Sequence, residues 1–203
     1  MVFTSKVCRL TGLACHLGRQ PRLVFHESQS RLWENLVGRS PEFWEWCHPI
    51  ARKAFPESFD NVSPGMLAKA VRSVNPSFIR VEADEVTYNL HVMMRFDLER
   101  EIIHGNLLVA DLPSAWNERF ETDFGSRPSR IEDGVLQDIH WPAGLIGYFP
   151  TYTLGNIFSA QIMAAAQQSG VGIADQIRNG EFTPLLHWLR ENVHTFGRTY
   201  TSE

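Results

Sequence analysis

No stretch of this 203-residue chain approaches the ~20 consecutive apolar residues that a membrane-spanning helix needs. Cysteine is scarce. Cys8, Cys15 and Cys47 are too few and too unevenly spaced for a disulfide framework or a four-cysteine zinc site, and a reducing, cytoplasmic setting is expected. Positive charge is not in surplus: 19 basic against 23 acidic residues leave a net charge of −4, which argues against nucleic acid and anionic membranes as partners. Histidines one helical turn apart are also missing. The eight stand at His16, His26, His48, His91, His104, His140, His187 and His194, and no two are four residues apart. The first 25 residues have no acidic side chain and no long apolar centre, so they are not read as a secretory signal.

What is present suits a folded domain. Apolar residues make up 43% of the chain and charged residues 21%, an ordinary globular balance at a length that supports a real core. Composition breaks near residue 25. Lys6, Arg9, Arg19 and Arg22 give the head a charge of +4, and the rest carries −8. Residues 1–25 show no sustained apolar period and are expected to be disordered, whereas 26–203 read as one mostly α-helical body.

Helices are expected from His26 to Gly38, after Ser40-Pro41, after Ser63-Pro64, from Asp84 to Gly105, after Leu112-Pro113, from Leu154 to Gln168 and after Thr183-Pro184. The Ser-Pro and Thr-Pro pairs supply a capping hydroxyl followed by proline at the first helical position. Phe78-Ile79-Arg80-Val81 is β-favouring, so a short β element is expected around residues 77–83.

Three stretches are denser in reactive groups than a core requires: His26-Glu27-Ser28-Gln29-Ser30-Arg31, Ile79-Arg80-Val81-Glu82-Ala83-Asp84, and Gly134 to Trp141 leading into Gly147-Tyr148-Phe149-Pro150-Thr151-Tyr152. Each alone has a plain structural reading. Glu27 suits a solvated first helical turn, Arg80 a surface ion cluster, and Asp138 with His140 a structural hydrogen bond. Together and in order, HESQSRLWEN, IRVEAD, YNLHVMMRFDLE, GVLQDIHW and GYFPTYTLG resemble the signatures of the carboxypeptidase Taq family, from about Phe25 to the end.

That resemblance implies a mostly helical, homodimeric metallopeptidase that releases C-terminal amino acids from peptides with broad specificity. It implies a zinc ion, with cobalt an alternative, held by an HExxH helix and a third ligand that falls here on Glu27, with His26 lining the metal site. A glutamate is a usual third ligand for a catalytic zinc. Arg80 becomes the expected partner of the substrate carboxylate, whose geometry suits a guanidinium fork. Gln137 and Asp138 are expected beside it in substrate binding. His140 and Tyr148 are expected near the scissile bond, where either stabilises developing oxyanion charge.

The chain departs from the pattern at a decisive place. His26-Glu27 is followed by Ser30 where a second histidine would be needed, and no HExxH occurs in the sequence. The family's HPF and DxRxT segments are not found either, and family sequence is expected beyond Glu203. Codons can be chosen for residues 1–24 so that another frame reads Gly-Leu-Tyr-Glu-Gln-Gly and onward like the family. The expectation is therefore a frameshift just before His26, with zinc not retained by this chain and apolar faces left uncovered. Three functions follow: a carboxypeptidase by descent that is inactive as this chain, one half of a split enzyme, or a non-enzymatic peptide-binding or dimerisation remnant.

Overall fold

The structure, a computed structural model, describes residues 21–196. The head reading falls almost wholly on residues 1–20, outside the described residues. Nine α-helices occur among the described residues: α1 Pro21–Arg31, α2 Pro41–Ala54, α3 Pro56–Phe59, α4 Pro64–Val71, α5 Thr87–Ile103, α6 Leu112–Phe124, α7 Pro150–Gln168, α8 Ile173–Arg178 and α9 Thr183–Asn192. Between α1 and α2 the chain runs as a π-helix, Leu32–Gly38, burying Leu32 and Val37. The mostly helical class is thus observed.

The expected β element at 77–83 is not. No strand occurs among the described residues, and the chain there makes a 3₁₀ turn, Arg80–Glu82. Ile79 has extended dihedrals, but its carbonyl accepts from Glu82 N at 3.2 Å and that of Arg80 accepts from Ala83 N at 3.2 Å. β-favouring residues express that preference only where a neighbouring strand can pair with them. Here Val81 is 72% exposed and the backbone bonds locally.

Helix starts follow the side chains that satisfy their free N–H groups. Ser40 Oγ accepts from Phe43 N at 3.1 Å, and Ser63 Oγ accepts from Met66 N at 3.2 Å. Asp84 does the same work for α5: Oδ1 accepts from Val86 N and Thr87 N, at 2.9 and 2.8 Å. Such caps are each worth about 1 kcal/mol. Thr183 makes no capping bond, so Pro184 alone marks the start of α9.

The described residues divide into two compact units, 21–72 with 155–196, and 73–154. In the first, α2 packs on α4 and α8. Phe43, Trp46 and Phe182 form an aromatic cluster there, with ring centroids 5.1–6.2 Å apart. Phe25 of α1 stacks on Phe158 of α7 at 5.3 Å. In the second, α5 packs on α6 around Met94, Leu98, Leu112, Trp116 and Phe120, and a neighbouring cluster joins Ala83, Tyr88, Val92 and Phe149.

Candidate functional site

One helix organises the second unit. Tyr88, His91, Arg95 and Glu99 follow one another at three- and four-residue steps along α5, so they share a face. All four are buried, at 3%, 0%, 0% and 5% exposure. A buried polar face must find partners, and it finds them in the irregular segments on either side of the helix. His91 Nε2 lies 3.1 Å from Ser77 O. Arg95 Nε donates to Asp138 Oδ2. Glu99 accepts from Trp141 Nε1 at 2.8 Å and from Gly147 N at 2.7 Å. Tyr88 Oη accepts from Arg80 Nη1 at 2.9 Å.

Arg80 sits at the centre of this web and is itself buried. Its Nε and Nη2 both donate to Asp138 Oδ1, at 3.0 and 2.8 Å. Its guanidinium carbon lies 4.9 Å from the centroid of the Tyr152 ring, within cation–π range. Gln137 fixes the backbone beneath it. Gln137 Oε1 accepts from Arg80 N at 2.8 Å, and Nε2 donates to Phe78 O and Asp133 O, both at 2.9 Å. Two of the residues expected in substrate binding thus serve the third as supports.

His140 lies beside the same carboxylate. Its Nδ1 is 3.6 Å from Asp138 Oδ1 and makes no hydrogen bond, and its Nε2 is 2.9 Å from Tyr152 Oη. The ring packs on Phe149 at 4.5 Å and on Tyr148 at 5.3 Å. Tyr148 is half-buried. The structure therefore brings Arg80, Gln137, Asp138, His140 and Tyr148 into one neighbourhood.

Burial and charge set the protonation of this group. Burial alone would raise the Asp138 pKa, but Arg95 and Arg80 outweigh it and hold the carboxyl below its usual range. Burial lowers Arg80, and the bond to Asp138 more than offsets that, leaving it raised. Arg95 is pushed down to about 10, chiefly by burial. Burial and then the Arg95 charge push His91 down to about 4. His140 is lowered, mainly by burial, against the attraction of Asp138. Both histidines are neutral near pH 7, and Arg80, Arg95 and Asp138 are charged.

Glu27 and His26 belong to the first unit. Glu27 Oε1 accepts from Arg31 Nε at 3.0 Å, and Arg31 also reaches Glu34 at 3.2 Å. His26 is exposed on α1. Glu27 owes its close seat on α7 to Gly155, where a Cβ would lie 2.7 Å from Glu27 Cγ and 2.9 Å from Glu27 Cβ. Among the described residues no group of three His, Cys, Asp or Glu side chains is placed to hold a metal ion. Catalytic zinc uses three protein ligands, so these residues by themselves do not fit it.

Tyr88, Arg95 and Glu99 lie in the YNLHVMMRFDLE stretch, but the motif reading gave none of them a role. The available signal was the run of polar residues at helical spacing through a segment otherwise rich in apolar ones.

Comparison with known proteins identifies the family of the chain. The family profile described as Carboxypeptidase Taq (M32) metallopeptidase matches residues 12–203. Thermostable carboxypeptidase 1 of Thermus thermophilus is 49% identical over 178 residues, covering 88% of this chain and 35% of that protein. The Pyrococcus furiosus protein of the same name is 43% identical, covering 88% of this chain and 36% of its own length. A solved structure, the M32 carboxypeptidase from Deinococcus radiodurans, superposes with a TM-score of 0.84 at 48% identity, covering 88% of this chain and 36% of that one. The chain therefore spans about a third of the length of the relatives it matches.

Proposed function

Because the chain belongs to the carboxypeptidase Taq (M32) metallopeptidase family, we propose that it carries the substrate-recognition part of a metal-dependent carboxypeptidase, and that peptides with a free C-terminus are its ligands. The observation behind this reading is the Arg80 cluster: a buried guanidinium held by Asp138 and Tyr88, with Gln137 fixing the Arg80 backbone, inside one compact unit. Three of its five N–H donors are occupied by these side chains, which leaves two for a terminal carboxylate. Arg80 is the contacting group, and Gln137 and Asp138 hold it. A fixed fork loses little freedom on binding, which favours recognition of one end of a peptide over its middle.

His140 and Tyr148 are assigned to the neighbourhood of the scissile bond. His140 is neutral and bonded to Tyr152, so the pair offers an uncharged hydrogen-bond donor where negative charge develops. In the family a metal ion supplies the activated water. Zinc, or cobalt, is the proposed ion, Glu27 the proposed ligand from this chain and His26 a residue lining its site. With no HExxH in the sequence, this chain is proposed not to retain the ion or hydrolyse peptides by itself. A cytoplasmic homodimer is the proposed state.

The test is to assay release of C-terminal amino acids and bound zinc for the 203-residue chain alone and mixed with the remaining portion of the Thermus thermophilus relative. We expect neither zinc nor release from the chain alone, and both from the mixture, with Arg80→Ala abolishing release. Hydrolysis by the purified chain alone would overturn the inactive reading. A chain that binds peptide but gains no activity from the added portion is a peptide-binding remnant. That second reading is favoured by the Arg80 cluster being complete without a metal. The frameshift reading of the head is checked separately, by sequencing the DNA 5′ of the first codon for HExxH codons in the other frame.

A further inference from the structure

Arg95 is the most deeply buried charge described in the second unit, and nothing assigned so far uses it. Its side chain is 0% exposed and lies 4.4 Å from the centroid of the Trp116 ring. Nε donates to Asp138, Nη1 donates to His91 O at 2.9 Å, and Nη2 has no hydrogen-bond partner among the described residues. Asp138 is thus the shared counter-ion of two guanidiniums: Oδ1 serves Arg80 and Oδ2 serves Arg95. One negative charge faces two positive ones, in a place where water does not screen the imbalance.

Without Arg95, the Arg80–Asp138 pair would be a closed, neutral ion pair with weak attraction for a carboxylate. With Arg95, Asp138 is divided, and Arg80 keeps charge to offer. The other acid on this face, Glu99, does not restore the balance near Arg80. It follows Arg95 by one turn, about 6 Å along the helix axis, but its two oxygens are taken by Trp141 and Gly147, and it lies on the side of Arg95 away from Tyr88, the residue that touches Arg80. His91 and His140 are neutral and contribute no compensating charge.

We propose that Arg95 is a positioning residue for substrate recognition. By drawing on the far oxygen of Asp138, it keeps Arg80 electropositive toward the terminal carboxylate of a peptide. This inference rests on the reading of Arg80 as the carboxylate contact, and the experiment separates failure of the one from failure of the other.

The experiment measures the affinity of the full chain for the tripeptide Ala-Ala-Phe and for the same tripeptide with a C-terminal amide, using tryptophan fluorescence. Wild type, Arg95→Met and Arg95→Lys are compared, each checked for native helicity by circular dichroism. Arg95→Met leaves Asp138 paired with Arg80, so no buried charge is stranded. The preference for free carboxylate over amide should fall about fiftyfold in Arg95→Met, the scale of a unit charge about 7 Å away at an effective dielectric near 20, and survive in Arg95→Lys. A purely structural role would weaken both peptides alike and leave their ratio unchanged. A ratio retained in Arg95→Met overturns the proposal. No carboxylate preference in wild type overturns the Arg80 reading and this inference with it. If Arg95→Met loses helicity, Arg95→Gln replaces it, since glutamine donates to Asp138 without charge, and the same ratio decides.

Discussion

Two arginine clusters, one in each unit, contain the same chemical groups in opposite proportion. In the second unit two buried guanidiniums share one carboxylate, Asp138. In the first, one exposed guanidinium, Arg178, meets three carboxylates: Glu45 at 2.7 Å, Asp175 at 2.6 Å and Glu42 at 3.7 Å. Counting ion pairs would rank the Arg178 cluster higher. Burial reverses the ranking. Water and salt screen charges that remain in solvent, and such pairs contribute little to stability. A charge out of water must be matched locally, and removing its partner leaves an uncompensated ion in a poor solvent. The first cluster therefore decorates the contact between α2 and α8, whereas the second both holds a site together and sets its electrostatic character.

The contrast is broken most severely at Asp138. Asp138→Asn should destabilise the protein by about 3–5 kcal/mol in urea unfolding, because two buried guanidiniums would then face each other across a neutral amide. A near-neutral result would show that the cluster is wetter than its burial indicates. Acid should act next. The folded pKa of His91, about 4, lies below the unfolded value near 6.5, so the unfolded chain binds the extra proton between those pH values. The resulting stability is complete above pH 6.5 and is lost as pH falls toward 4, by roughly 3 kcal/mol. Urea midpoints at pH 7.5 and 4.5 measure it, and His91→Gln should flatten that part of the slope.

A smaller effect sharpens the comparison from the side of the first unit. Gly180 has φ of 76°, and a Cβ there would lie 2.1 Å from Trp46 Nε1. Gly180→Ala should cost about 1–3 kcal/mol through crowding and backbone strain, read as a lower melting temperature. The least effect is expected at Arg178. Arg178→Ala should leave the urea midpoint unchanged within error despite removing three ion pairs. A clear shift would mean that the exposed cluster contributes more than solvent screening permits.

Much of this was legible in the residues, for reasons that differ by element. Ser40-Pro41 and Ser63-Pro64 declare their helices because the cap bond is local and needs no tertiary partner. Asp84 is readable for the same cause. Phe78 to Val81 misled because strand preference depends on a neighbour that this fold does not supply. The six residues of α8 are too few to show a period. In the site, Arg80, Gln137, Asp138 and His140 stood in motifs and are found together. Arg95 and Glu99 stood in the YNLHVMMRFDLE stretch, but no role was assigned to either. Their roles depend on which loop crosses which turn, and that is settled only by the long-range contacts of Asp138, Trp141 and Gly147.

The inward polar face of α5 also constrains how relatives of this chain can change. Asp138, Trp141 and Gly147 each meet α5 at a fixed height. Inserting or deleting one residue between Asp133 and Gly147 would displace the following partners by about 3.5 Å, beyond the reach of a hydrogen bond. Length variation is therefore expected outside this stretch. Between Asp133 and Gly147, lineages should differ by exchange of side chains at constant spacing.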